Sequence, residues 1–256
     1  LALKLATRYR VRTIDDYEPL APRRQAEYLT FFTEGASVYE RLPWLFAGTM
    51  GALEPPPGVA PPATRRRLLD LAAVRFVMMP AALTARRTDG GFEPRPFVGD
   101  DLVLLENPHV LPRAFVTYHT RPAPPVDALL AAISADDFDP LAASYVEGDG
   151  GLTPPSADAT IRGTPARIVV DEERVVEVDA TLAQPGLVVL ADAFYPGWQA
   201  TVDGTPAAIV PTNHLFRGVR APAGTHRIRF AYRPWSVLAG AAASAVGWMV
   251  IAALAL

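Results

Sequence analysis

Apolar and polar positions alternate through the second half of the chain and predict short strands with one buried face. Val176, Val178 and Ala180 alternate with Glu177 and Asp179, and a period of two is typical of a half-buried strand. Residues 187–191 are continuously apolar, which fits a central strand that is buried on both faces. The same alternation recurs in residues 198–202 and 225–232.

Turn residues separate these segments and predict how they connect. Residues 171–173 divide two strand-like arms at 167–170 and 174–180, and residues 221–224 divide arms at 215–220 and 225–232, so each pair is predicted to form a hairpin. Asp203-Gly204 supplies the positive φ values of a tight type I′ turn, with a return through 207–210. Strands at this spacing predict an antiparallel β-sandwich over residues 126–233.

The first 125 residues mix helix and strand signals and predict a small N-terminal α/β region. Helices are expected at 24–33 and 65–73, a buried strand at 74–79, and two further strands at 102–105 and 114–118. A proline-rich connection at 54–62 separates the first part from the second. A short helix at 126–133 opens the sandwich region. The predicted fold class is therefore α+β, mainly β.

The C-terminal segment predicts a transmembrane helix over residues 234–256. No charged residue occurs from Trp235 to Leu256, and about 20 apolar residues suffice to cross a hydrocarbon core of roughly 30 Å. Arg233 and Trp235 stand at the position of the headgroups. The alternative is a buried helix of a soluble protein, but such helices usually keep a polar stripe. A bilayer is therefore the first expected partner.

Composition removes several classes of function. The 256 residues carry a net charge of -3 without a basic stripe, so no nucleic-acid partner is expected. The chain has no cysteine, which excludes disulfides and thiolate chemistry. It begins at Leu1, and no signal peptide precedes the first polar stretch, so we expect a fragment of a longer protein.

No residue pattern of catalysis or metal binding is present. The four histidines, His109, His119, His214 and His226, lack the spacing of metal ligands. The acidic run 136–139 could offer carboxylates to a divalent ion, but a loop that ends a helix is the favoured interpretation. Neither a nucleophile elbow nor a phosphate-binding glycine loop occurs. We therefore predict no catalytic residue, no metal site and no cofactor in this chain.

An aromatic group near residue 196 is the best candidate for a binding surface. Phe194, Tyr195 and Trp198 could stack on sugar rings, with Asn213 and Arg217 lining the same edge. The alternative, which is favoured, has Trp198 in the sandwich core and Pro196-Gly197 shaping a bulge. The predicted glycan-binding residues are thus Phe194, Tyr195, Trp198, Asn213 and Arg217.

Longer motifs in this half resemble those of the YfhO family of bacterial membrane proteins. The run 194–204 (FYPGWQATVDG) is similar to the family's YPGW-x-A-x-VDG signature, and 213–219 (NHLFRGV) to its N-x-LFR-x-V strand. Segments 222–226 and 230–234 are similar to the family up to its membrane helix. Weaker similarity occurs at 16–20 (DYEPL), 67–77 and 112–116. The resemblance spans about residues 16–245.

This resemblance implies a polytopic glycosyltransferase of the GT-C type that moves sugar from a lipid-linked donor to a cell-envelope polymer. The catalytic acid of that fold lies in the first extracytoplasmic loop, upstream of this chain, so the fragment is expected to be non-catalytic. Expected partners are an envelope glycan or polyprenyl-linked sugar and the upstream transmembrane helices of the same protein. The soluble part is expected on the extracytoplasmic side of a bacterial membrane. The alternatives are a membrane-anchored carbohydrate-binding module and, ranked last, a soluble hydrolase.

Overall fold

A computed structural model describes residues 22–37, 65–81, 91–96, 101–148 and 161–254. The described helices are α1 (Arg23–Glu34), α2 (Arg67–Leu71), α3 (Val126–Ser134) and α4 (Trp235–Leu254). The first six described strands in chain order are β1 (Phe76–Pro80), β2 (Glu93–Arg95), β3 (Leu102–Glu106), β4 (Ala114–Thr117), β5 (Thr120–Pro122) and β6 (Ser144–Val146). The proline-rich stretch 54–62 and the motif at 16–20 lie outside the described residues.

The remaining strands form most of two stacked sheets. They are β7 (Arg167–Asp171), β8 (Val175–Leu182), β9 (Gly186–Ala193), β10 (Trp198–Val202), β11 (Thr205–Ala207), β12 (Ile209–Thr212), β13 (Phe216–Ala221) and β14 (Gly224–Tyr232). One sheet has the order β11-β10-β14-β8-β7 and the other β4-β9-β13-β12-β6-β5. Every described pairing is antiparallel except that between β5 and β6. The fold is therefore mainly β with antiparallel sheets, as predicted.

The two sheets enclose one apolar core. Its residues include Val176, Val178, Ile228 and Phe230 from the five-stranded sheet and Val188 from the six-stranded sheet. The buried positions of β8 alternate with more exposed ones, as the sequence pattern predicted. The expected strand 187–191 is the buried centre of β9, between β4 and β13.

A second core covers the outer face of the six-stranded sheet. Tyr28 of α1, Leu68 of α2 and Leu130 of α3 pack there against sheet residues such as Phe115 and Phe216. Val77 and Leu105 join this core from a three-stranded sheet of order β1-β3-β2. Strand β9 thus contributes side chains to both cores, which explains why its sequence is continuously apolar.

The structure differs from the sequence prediction in its connections. Strands β4 and β5 belong to the six-stranded sheet although they precede residue 126, where the sandwich was predicted to begin. Strands β13 and β14, predicted as a hairpin, lie in different sheets, because the turn at 221–224 crosses from one sheet to the other. After the Asp203-Gly204 turn only β11 pairs with β10, and β12 crosses to the other sheet.

The outer face of the five-stranded sheet carries paired charges. Arg227 Nε donates to Asp179 Oδ1 across 2.8 Å, and Arg229 forms an ion pair with Glu177 on the neighbouring strand. Cross-strand pairs of opposite charge stabilise an exposed face slightly and keep it soluble. This face therefore behaves as an ordinary solvated surface.

Helix α4 follows β14 after Arg233 and Pro234 and consists of 20 residues. None of these residues is charged. Several large apolar side chains on it are exposed, among them Trp248 at 71% and Met249 at 63%. Among the described residues, no helix was found that is both long enough and apolar enough to cross a membrane.

Candidate functional site

The β9–β10 loop, residues 194–197, joins the two sheets and packs against the entrance to α4. Arg233 N–H donates to the Gly197 carbonyl oxygen across 2.7 Å. Gly197 has φ of 101°, and a Cβ there would lie 2.9 Å from the Tyr232 ring and 3.1 Å from Pro234 Cβ. Only glycine fits both the positive φ and this close approach. The loop is therefore fixed to the last residues before α4.

Tyr195 is the one predicted site residue with an exposed side chain, at 45%. Phe194 beside it is half-buried, its N–H donates to the Leu215 carbonyl oxygen, and the Arg24 guanidinium lies 5.5 Å from its ring centroid. A half-exposed tyrosine offers a ring face for stacking and a hydroxyl for hydrogen bonding. Tyr195 is thus the residue of this loop that is available to a ligand.

Trp198 and Arg217 form a packed pair. The Arg217 guanidinium carbon lies 3.8 Å from the Trp198 ring centroid, and the Tyr232 ring lies 5.3 Å away. Arg217 is only 4% exposed, and its Nε donates to the Ala193 carbonyl oxygen across 3.1 Å. A buried guanidinium stacked on an indole fixes both side chains. These contacts agree with the interpretation of Trp198 as a structural residue.

An acidic side chain compensates the buried charge of Arg217. Asp192 Oδ2 lies 3.2 Å from Arg217 Nη2, and both Asp192 oxygens accept hydrogen bonds from Arg113. Burial opposes the charge on Arg113, but Asp192 and Asp171 outweigh it and raise the pKa of this guanidinium. The pairing satisfies charges that would otherwise be costly to bury.

Asn213 supports strand β6 instead of the aromatic loop. It is fully buried in the left-handed conformation, with φ of 47°. Its side-chain Oδ1 accepts from Tyr145 N–H across 2.8 Å, and its Nδ2 donates to Ser144 Oγ across 3.2 Å. Its own N–H donates to the Tyr145 carbonyl oxygen. Asn213 is therefore a structural residue that fixes Tyr145.

The buried His214 lies in a partly exposed ionic cluster that joins α1 to the β12–β13 turn. Its Nε2 lies 3.1 Å from Glu27, and its Nδ1 lies 3.8 Å from Glu147. Arg24 binds both Glu147 oxygens, and its Nη1 donates to the His214 carbonyl oxygen across 2.9 Å. Arg23 forms an ion pair with Glu27. The sequence could not reveal this cluster, because its acids and bases come from distant parts of the chain.

The environment of His214 favours its neutral form. Burial lowers the pKa of the imidazole, and the nearby Arg24 lowers it further, while Glu27 and Glu147 oppose the shift. Neither ring nitrogen of His214 has a hydrogen-bond partner among the described residues, although Glu27 lies 3.1 Å from Nε2. The hydrogen bonds that join helix and turn are those of Arg24.

The other histidines do not assemble a metal site. His226 Nδ1 lies 2.6 Å from Asp203, and this hydrogen bond raises the pKa of His226. Within the described ranges, no group of three or more potential ligands could hold a metal ion. The acidic run 136–139 follows α3 in a loop, the location that the sequence analysis favoured.

The predicted site residues thus separate into one exposed tyrosine and four residues with packing partners. Phe194, Trp198 and Arg217 support the loop that presents Tyr195, and Asn213 supports strand β6. No family model, no curated protein and no solved structure matches this chain.

Proposed function

We propose that this chain is the non-catalytic extracytoplasmic domain of a polytopic, YfhO-like membrane protein, and that it presents a glycan acceptor close to the bilayer. The observation that carries the proposal is the junction between sandwich and helix. Strand β14 leads into the uncharged helix α4, and the loop that exposes Tyr195 packs on Tyr232 and Pro234 at that junction. An aromatic ring at this position would stand at the surface of the lipid.

The membrane part of the proposal rests on the side chains of α4. Although no described helix was found to be long and apolar enough for a span, α4 has no charged residue and exposes Trp235, Val246, Trp248 and Met249. Its 20 residues rise about 30 Å, the thickness of a hydrocarbon core. Small residues on α4 would let upstream helices of the same protein approach closely.

A single charge in α4 tests membrane insertion. In this chain expressed by itself, Val246→Arg should shift the protein from the carbonate-resistant membrane fraction to the soluble or aggregated fraction, since a central arginine costs about 3 kcal/mol on insertion and no upstream spans hold the protein in the bilayer. Val246→Leu is the matched control and should stay in the membrane fraction. Extraction of the wild-type protein by carbonate would contradict the proposal.

The acceptor role is tested by the sugar content of the cell-envelope polymers. A deletion strain complemented with Tyr195→Ala should show less sugar transfer than one complemented with wild type, at equal protein level. Tyr195→Phe keeps the ring and should restore most of the transfer, and Glu173→Gln on a distant turn should restore all of it. Full transfer by Tyr195→Ala would overturn the role of this loop.

A further inference from the structure

A cavity of about 340 Å³ lies at the β5 edge of the six-stranded sheet, away from the Tyr195 loop. Its wall is formed by β5, the end of α3, the loop after α3 and strand β6. The side chains that decide its chemistry are those of Arg121, Asp137, Phe138, Asp139 and Tyr145. This volume is at the lower end of the range for small-molecule sites and would hold about one sugar ring.

The aromatic wall of the cavity is fixed from behind. Phe138 and Tyr145 stack with ring centroids 5.9 Å apart and an interplanar angle of 22°. Arg67 donates two hydrogen bonds to the Phe138 carbonyl oxygen, at 2.9 and 2.6 Å. The buried Asn213 side chain accepts from Tyr145 N–H. The two rings are thus held in place before any ligand arrives, which lowers the entropy cost of binding.

Of the polar side chains at the cavity, Asp139 has partners within the protein, whereas Arg121 and Asp137 can bind a ligand. Asp139 accepts from Leu141 N–H across 3.0 Å and forms an ion pair with Arg162 at 2.8 Å. Arg121 and Asp137 are exposed at the cavity, and no partner for either is seen among the described residues. A guanidinium and a carboxylate are therefore free to bind a ligand.

We infer that this cavity is a binding site for a neutral sugar ring. The C–H face of a pyranose can pack on an aromatic wall, while a carboxylate accepts from its hydroxyls and a guanidinium donates to them. Arg162, which lies outside the lining, neutralises Asp139, and Arg121 balances Asp137 in charge, so the site selects neither a strong anion nor a strong cation. It shares no side chain with the Tyr195 loop and goes beyond the function proposed for that loop.

Titration of simple sugars into the full chain in lipid nanodiscs tests this inference. Nanodiscs are required because detergents with sugar headgroups would compete for the site. Glucose, galactose and N-acetylglucosamine are added separately, and binding is followed by saturation-transfer NMR. At least one of them should bind with a dissociation constant on the order of 1 mM, the range for so small a ligand.

Variants locate the binding. Asp137→Asn and Arg121→Gln should each weaken it about tenfold, because each removes a charged hydrogen-bonding group. Tyr145→Phe should also weaken it, and it keeps the stacked ring and the fold. Glu173→Gln and Arg174→Gln remove the same charges from an exposed turn and should leave binding unchanged.

Two results would overturn the cavity as a sugar site. The first is no binding of any of the three sugars by wild type. The second is binding that survives all three cavity variants; if Tyr195→Ala abolishes it, the sugar is bound by the aromatic loop, and the function proposed for that loop stands without the cavity. Loss of binding in the cavity variants with normal binding by Tyr195→Ala supports the inference independently of the loop.

Discussion

Two neighbouring residues of the β12–β13 turn hold left-handed backbone conformations without being glycine. Asn213 has φ of 47° and His214 has φ of 68°. Such conformations cost roughly 1–2 kcal/mol per residue and persist only where their surroundings stabilise them. Here the side chain of Asn213 binds strand β6, and the His214 ring lies 3.1 Å from Glu27 of α1. The turn therefore connects elements from three parts of the chain.

Replacement of Asn213 separates the contribution of its side chain from that of its backbone. Asn213→Ala should destabilise the fold by about 2–4 kcal/mol, since it leaves Tyr145 N–H buried without its acceptor and places alanine in a left-handed conformation. Asn213→Gly loses the same hydrogen bonds but tolerates the backbone, so it should cost about 1 kcal/mol less. Urea denaturation of both variants measures the difference. Equal stability of wild type and Asn213→Ala would contradict this account of the turn.

The lowered pKa of His214 makes stability depend on pH in one direction. The unfolded histidine, with a pKa of about 6.5, takes up a proton before the folded one does. The free energy of unfolding should therefore decrease as pH falls from about 7 to 5. Charged groups from α1 (Arg23, Arg24, Glu27) and from the end of β6 (Glu147) face this ring or pair with the groups that face it.

The variant His214→Gln isolates the histidine contribution. Its free energy of unfolding should depend less on pH between about 5 and 7 than that of wild type, because glutamine does not bind a proton in this range. The control is His226→Gln. The pKa of His226 is raised, so this histidine makes the free energy of unfolding change with pH in the opposite direction. If the free energy of unfolding of wild type and of His214→Gln changed with pH in parallel over this range, His214 would not be the source of the pH dependence.

At the scale of elements, the junction between β14 and α4 depends on one glycine. The β9–β10 loop passes so close to this junction that Gly197 has no room for a side chain. The loop is also hydrogen-bonded to the junction, because Arg233 N–H donates to the Gly197 carbonyl oxygen. The position of Tyr195 relative to the helix is thus set by backbone packing.

A comparison of two glycines measures this constraint. Gly197→Ala should destabilise the protein by about 2–4 kcal/mol, because it adds a clash to an unfavourable φ. Gly204→Ala is the matched control: its φ is also positive, at 84°, but a Cβ there meets nothing within 4 Å. It should cost only about 1 kcal/mol. Thermal unfolding of both variants should show this order, and the reverse order would refute the close approach.

Local elements and the β7–β8 and β10–β11 hairpins followed from local patterns, but the pairing of the other strands did not. The alternation in β8, the apolar run of β9 and the Asp203-Gly204 turn, with φ of 50° and 84°, were all predictable. The turn at 221–224 looks like a hairpin turn, yet it crosses between sheets, because side-chain periodicity does not specify which strand lies beside which. Likewise the partners of Asn213, Arg217 and His214 come from distant segments, which no local pattern encodes.

At the scale of the whole molecule, three layers surround two cores. The six-stranded sheet lies in the middle, with the five-stranded sheet on one face and helices α1, α2 and α3 on the other. Strand β9 supplies both cores, so the N-terminal elements and the sandwich depend on one strand. Helix α4 continues from the end of β14, the central strand of the five-stranded sheet, and has exposed apolar side chains. The proposed role requires that this helix holds the layers at the outer surface of a membrane.

The most direct test of that claim is the side of the membrane on which the sandwich lies. The chain has no cysteine, so Glu173→Cys in the exposed turn between β7 and β8 introduces its one thiol, and the unsubstituted protein gives the background labelling. Intact cells that express the protein are treated with a maleimide that does not cross the cytoplasmic membrane. If the sandwich lies outside the cytoplasmic membrane, intact cells should be fully labelled, with the labelled protein in the membrane fraction. Labelling only after lysis would place the sandwich inside the cell and contradict the proposed role.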